Sequence, residues 1–207
     1  MAVKARRERP RREEYTEATR AALLDAAAAA FAARGFARTS VDDIVRRARV
    51  TKGALYHHFK DKTAVFEAVF CRVEETLVRR VGEASTKHAD PWERVEAGFG
   101  AFLEAALEPE TRRIVFEEAP VALGWTRWRE IEQRYMMGVL RATLRSLHDA
   151  GLIRAEPLDL VVPVLFAAIG EATQVAAQEP DTKAARRQAK KLILQLVRGL
   201  APLPSSS

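Results

Sequence analysis

Apolar residues along this chain recur at helical spacing, and no segment alternates in the manner of a half-buried strand. From about Thr16, Leu24, Ala27, Ala28 and Phe31 fall on one face of an alanine-rich stretch with high helix propensity. Gly35 is placed to stop this helix, with Phe31 and Phe36 the apolar pair expected of a Schellman stop. Ser40 offers a hydroxyl cap with Asp43 three residues on, a variant of the capping box. Val41, Ile44, Val45 and Ala48 follow at i, i+3, i+4 and i+7, which predicts a short amphipathic helix. Thr51 is a fresh cap, with Val50 and Leu55 set as a hydrophobic staple and Phe59 four residues beyond. Asp61 caps a fourth helix whose apolar face is Val65, Phe66, Val69, Phe70, Val73 and Leu77.

Past Gly82 the pattern stays helical. Asp90-Pro91 starts a helix, with proline at its first position, and Trp92, Val95, Phe99, Phe102 and Ala106 line it as far as Pro109. The punctuation predicts a short helix over 110–118 bounded by Pro120, then a long one from about Thr126 to Ala150, stopped by Gly151. Pro157 and Pro180 delimit another, in which Pro163 marks a kink or the true start. Asp181 or Thr182 caps the last helix, which Gly199 ends. The expected class is all-α: a three-helix unit over 16–62, then a helical body over 63–200. Residues 1–15, charged and nearly without apolar side chains, read as a flexible arm, and 201–207 as a disordered tail.

Composition narrows the function classes. A hydrophobic fraction of 48% over 207 residues is ample for a core. The basic N-terminus lacks the apolar run of a secretory signal, and the longest uncharged stretch of the C-terminal half, Leu160–Gly170, falls short of a membrane span. One cysteine, Cys71, cannot close an internal disulfide, which suits a reducing cytoplasm. Charge is distributed unevenly. Residues 1–62 hold 15 lysines and arginines against 8 acids, so the chain's net +6 leaves 63–207 at −1. A basic head on a neutral body points to a polyanion-binding module, or to a basic tail that keeps the chain soluble.

Residues 40–59, SVDDIVRRARVTKGALYHHF, outline two short helices joined by a tight turn. They form either a helix-turn-helix or an ordinary helical hairpin. The apolar positions hold the pair together, while the second helix projects Thr51, Lys52, Gly53, Tyr56 and His57. Gly53 is a poor helix former, and a position without a side chain would let the backbone approach DNA closely.

The run Thr39-Ser40-Val41-Asp42-Asp43-Ile44, then Val50 to Lys62 (VTKGALYHHFKDK), closely resembles the DNA-binding domain of TetR-type (tetracycline-repressor-like) transcriptional regulators. The likeness extends through Leu23-Leu24-Asp25-Ala26-Ala27, Phe31, Gly35-Phe36, and Phe66 to Val69, about fifty contiguous residues. The remaining two-thirds is similar in helical layout and length alone. One departure is Arg49, where the family usually has glycine; a left-handed conformation there would cost ~1–2 kcal/mol. The resemblance implies phosphate contacts at Thr39, Ser40, Tyr56 and Lys62, and a groove-facing set of Thr51, Lys52, Gly53 and His57. Lys52 is the best placed to read guanine.

The resemblance further implies an effector pocket in the body and a homodimer that packs the last two long helices against their symmetry mates. Their apolar stripes are wider than one partner requires: Leu158, Val162, Leu165, Ile169, Ala172 and Ala176 beside Val161, Val164 and Ala168, then Ala185, Ala189, Leu192 and Leu196 beside Ile193, Val197 and Leu200. A monomer burying both helices is the alternative. For a mainly apolar effector the expected lining is Phe102, Phe116, Trp125, Trp128 and Tyr135. No nucleotide, metal or catalytic motif occurs, so no cofactor and no enzymatic activity are expected. The pairs Glu74-Glu75 and Glu117-Glu118 read as solvated helix faces. The leading expectation is a ligand-responsive repressor of a palindromic operator; the rival is a helical small-molecule binding protein with an incidental basic head.

Overall fold

The computed structural model describes residues 2–154 and 156–201, with side chains from Tyr15 onward. Residues 202–207, most of the expected tail, lie outside that range. The helices are α1 (Ala2–Arg34), α2 (Val41–Ala48), α3 (Lys52–His58), α4 (Lys62–Ser85), α5 (Pro91–Ala106), α6 (Pro109–Arg112), a π-helix (Arg113–Glu118), α7 (Ala119–Leu123), α8 (Trp125–Arg134), α9 (Met136–Asp149), α10 (Leu158–Gln178) and α11 (Thr182–Arg198). No strand occurs among the described residues. The backbone of α1 starts at Ala2, not near Thr16, so the stretch read as an arm continues the helix. Its arginines, lysines and glutamates have high helix propensity.

Local capping accounts for α2 to α5. Ser40 Oγ accepts from the Asp43 amide, and the Asp43 carboxylate accepts from the Ser40 amide, a complete capping box. Thr51, Asp61 and Asp90 cap α3, α4 and α5 through the same kind of contact. The end of α2 is a full Schellman stop: the Val50 amide reaches the Val45 carbonyl at 3.0 Å, and Arg49 donates to Arg46. That turn requires Arg49 at φ 57°, ψ 40°, the left-handed region usually left to glycine. The end of α1 differs from expectation. Gly35, at φ 79°, donates to the Phe31 carbonyl, which is the simpler left-handed cap. The Phe36 amide, which a Schellman stop would send to Phe31, goes instead to Glu118 at 2.9 Å.

The small N-terminal bundle closes on aromatic edges: Phe31 and Phe36 meet Phe66 with ring centroids 5.1 and 5.3 Å apart. Leu23, Ala27, Ile44, Leu55 and Val65 are fully buried around them. The long α4 leaves this bundle and enters the body, carrying Phe70, Leu77 and Val81 into its core and packing mainly on α5.

Three expectations for the body change. The helix foreseen over 110–118 is α6 followed by a π-helix, and α7 starts with Pro120 in its first turn, where a missing amide does no harm. The helix foreseen from Thr126 to Ala150 is two, broken at Tyr135 (φ −109°, ψ −111°). Gly138 makes this break possible, since a Cβ there would stand 2.8 Å from the Gln133 carbonyl oxygen. Third, α10 starts at Leu158 and runs through Pro163, so that proline is not its start.

Helices α10 and α11 pack together, and Val162, Leu165, Ile169, Ala185, Ala189 and Ile193 are buried on their inner faces. Their other faces leave Leu160, Val164, Val175, Leu192 and Leu196 between 41% and 62% exposed. By length and composition alone α10 could cross a bilayer, a point the shorter uncharged run concealed. Its packing against α9 and α11 makes it an element of the helical body.

Candidate functional site

The second helix of the motif is presented, not packed away. Leu55 and Phe59 anchor α3 in the core. On its other side Thr51, Lys52, Gly53, Tyr56 and His57 are all exposed, Tyr56 by 53%. Nothing crowds Gly53: an added Cβ would have the Thr51 hydroxyl at 3.8 Å as its nearest neighbour. Lys52 Nζ lies 2.8 Å from Asp42 Oδ1 on α2, and this hydrogen bond raises its pKa. Both partners are more than half exposed, so solvent or phosphate can replace the bond at little cost.

Two side chains expected at phosphate face inward. Thr39 is buried, with its hydroxyl 2.8 Å from the Gly35 carbonyl and 3.2 Å from that of Ala30. Lys62 Nζ donates to the Phe36 and Thr39 carbonyls at 2.8 and 3.0 Å and sits 4.2 Å above the Phe36 ring. The Gly35, Phe36 and Thr39 carbonyls follow the end of α1, outside its hydrogen-bond ladder, so both side chains brace the loop that delivers Ser40. Ser40 itself is exposed, with its Oγ donating to Asp43 at 2.8 Å.

A cavity of about 310 Å³ opens in the body, mainly apolar in its lining. Val81 and Ser85 of α4, Val95, Phe99 and Phe102 of α5, Met136, Leu140 and Thr143 of α9, and Phe166 and Ile169 of α10 surround it. Of the five aromatic residues expected to line it, Phe102 alone does. Trp125 and Trp128 lie on α8, before the break at Tyr135, and pair with each other at 4.9 Å, with Arg129 over the rings of both Trp125 and the cavity residue Phe166. Trp125 is 66% exposed. Tyr135 points to Glu75, its hydroxyl donating at 3.2 Å, and Phe116 is a half-buried core residue of the π-helix.

Residues 23–69 match the family described as bacterial regulatory proteins, tetR family, and residues 92–200 match the tetracyclin repressor-like C-terminal domain. The second match alone spans more than half of the chain. The chain belongs to the TetR family. A crystal structure of a TetR-family transcriptional regulator from Pectobacterium atrosepticum is 31% identical, with a TM-score of 0.75 over 92% of this chain and 98% of that one. The Tn10 TetC protein of Escherichia coli is 26% identical over 74% of this chain and 77% of its own length. The regulator TtgR of Pseudomonas putida is 37% identical over half of each chain. TetR-family proteins are DNA-binding transcriptional regulators, not enzymes; they bind operator DNA and small-molecule effectors and act as dimers.

Two features of this TetR-family chain escaped the sequence reading. The first joins the body to the DNA-binding bundle. Arg113 donates to the Ala32 and Ala33 carbonyls, 3.0 Å each, at the end of α1, while Glu118 accepts the Phe36 amide. The two side chains pair at 3.6 Å. Five residues apart, they would diverge by about 140° on an α-helix; the wider π-turn, bonded i to i+5, aligns them. Glu118 was expected in solvent.

The second is a buried acid pair. Glu74 of α4 is 0% exposed and Glu132 of α8 is 2% exposed. Neither Glu74 oxygen has a hydrogen-bond partner, nor does Glu132 Oε2 or the Trp128 indole nitrogen. Burial pushes both carboxyls up, Glu132 to about 7, and the Glu132 charge raises Glu74 further, while Arg129 pulls Glu132 partly back. Spacing could have found Glu74, which completes the series Phe66, Phe70, Leu77, Val81 on one face of α4.

Proposed function

We propose that this chain is a repressor that reads a palindromic operator as a homodimer and leaves it when a small, mainly apolar molecule fills the body cavity. The observation that carries the reading is the α3 face, where Thr51, Lys52, Gly53, Tyr56 and His57 stand exposed over a buried brace. On this reading Lys52 exchanges Asp42 for a base edge, Gly53 brings backbone against the duplex, and Ser40 and Tyr56 meet phosphate. Thr39 and Lys62 serve by fixing the loop before Ser40. Residues 16–62 act as the DNA-binding unit and 63–200 as the effector and dimer unit, in the cytoplasm.

The exposed apolar residues of α10 and α11 supply the dimer face, pairing with the same helices of a second copy. The cavity supports the effector reading because its volume is at the low end of small-molecule sites and its lining is apolar. Helix α4 connects the two functions. Its first turn holds the loop at Thr39, and Val81 and Ser85 near its far end line the cavity, ~36 Å of rigid helix overall. An effector that tilts α4 changes the spacing of two heads that must enter successive grooves together.

Titration of the full-length protein against duplex DNA from upstream of its own and adjacent genes, at two salt concentrations, tests the reading. Binding that weakens steeply with salt, through counterion release, is the expected result. Absent or salt-independent binding would remove the operator from the account.

A further inference from the structure

We propose that Glu74 and Glu132 seat the charged end of a cationic amine effector whose apolar body fills the adjoining cavity. This deepens the effector reading above and rests on it. Glu74 lies on the same face of α4 as the cavity-lining Val81, seven residues or ~10.5 Å along the axis. Leu77 lies between them on that face, and Met136, the first residue of α9, lines the cavity with its backbone amide facing Glu74. A methionine side chain is unbranched and repacks readily, so its displacement would connect the cavity to the acids.

Among the described residues no arginine, lysine or histidine pairs with Glu74, whose two buried oxygens have only the Met136 amide facing them and complete no hydrogen bond. The groups that face the pair are the acids themselves, Arg129 on the same helix as Glu132, and the Trp128 indole. Buried carboxylates are rarely left without a counter-charge. Without one Glu74 must hold its proton, and burial raises its carboxyl in keeping with that. An ammonium group entering beside Glu74 supplies the missing charge and donors, and the carboxyl it meets gives up its proton. Amine binding at neutral pH therefore releases a proton to solvent, while a neutral ligand of the same shape releases none.

The test compares 4-phenylbutylamine with 4-phenylbutan-1-ol by titration calorimetry on the full-length protein, in buffers of different ionisation enthalpy. The amine is expected to bind at least tenfold more tightly at pH 8, with proton release, and to lose that preference at pH 5.5. Glu74→Gln is expected to abolish both the preference and the proton release while alcohol affinity stays within twofold. The pH series on the unaltered protein gives the answer even if that variant folds poorly. Equal affinities without proton release would overturn the proposal and leave the cavity as an effector site. Binding of neither probe would overturn both.

Discussion

Gly53→Ala separates folding from DNA recognition. Gly53 is the second residue of α3, and the methyl group it lacks would meet only the Thr51 hydroxyl, at 3.8 Å. Folding therefore gains helix propensity without a clash, ~0.5–1 kcal/mol given that the site is in the first turn. At 2–4 °C per kcal/mol for a chain of this size, the melting temperature should rise by roughly 1–4 °C. In the complex the same methyl stands where backbone is to meet DNA. A loss of at least tenfold in operator affinity, about 1.4 kcal/mol, is expected. Thermal melts and DNA titration on one preparation read both effects. Unchanged affinity in a normally folded variant would show that α3 does not bring Gly53 against the duplex. A lowered melting temperature would refute the open space assigned to that position.

Arg49→Gly should stabilise the protein by ~1 kcal/mol in a denaturant melt, because the left-handed turn after α2 then carries no Cβ strain; a loss of stability would mean the arginine side chain outweighs the strain. Lys52→Ala should cost ~1–3 kcal/mol and relax preference at particular base pairs, whereas Tyr56→Phe should weaken all sequences alike; equal, sequence-blind losses would take Lys52 out of the base-reading set. Glu132→Gln tests the buried acids through stability. The carboxyl, raised from 4.5 to about 7 by burial, holds a proton in the folded chain that the unfolded chain has lost between those values, so stability falls as pH rises through that window. The variant should match the parent near pH 4.5 and exceed it above pH 7 by up to ~3 kcal/mol; parallel pH profiles would contradict the burial of an unpaired acid.

The N-terminal helices were legible because their boundaries are written locally. Ser40, Thr51, Asp61 and Asp90 each cap a helix through contacts within three residues, and the apolar spacing names the buried face. The body depends on distant partners. Glu118 reaches Phe36 across 82 positions, which turns a Schellman stop into a simpler cap and a solvated acid into a bracket. The break at Tyr135 rests on Gly138 clearing the Gln133 carbonyl, a close approach that periodicity does not register. Trp125, Trp128 and Tyr135 lie outside the cavity, which Phe99 and Phe102 of α5, Phe166 of α10 and aliphatic residues of α4, α5 and α9 line instead. Counting aromatic residues locates a body but not its cavity.

The central claim is that two copies of this chain each read half of a symmetric site. Selection of bound sequences from a random duplex library by the full-length protein tests it with no operator sequence assumed. Enrichment of an inverted repeat whose half-sites lie one helical turn, about 10 base pairs, or a multiple of it apart is the expected result. A single asymmetric motif, or no enrichment at low salt, would contradict it.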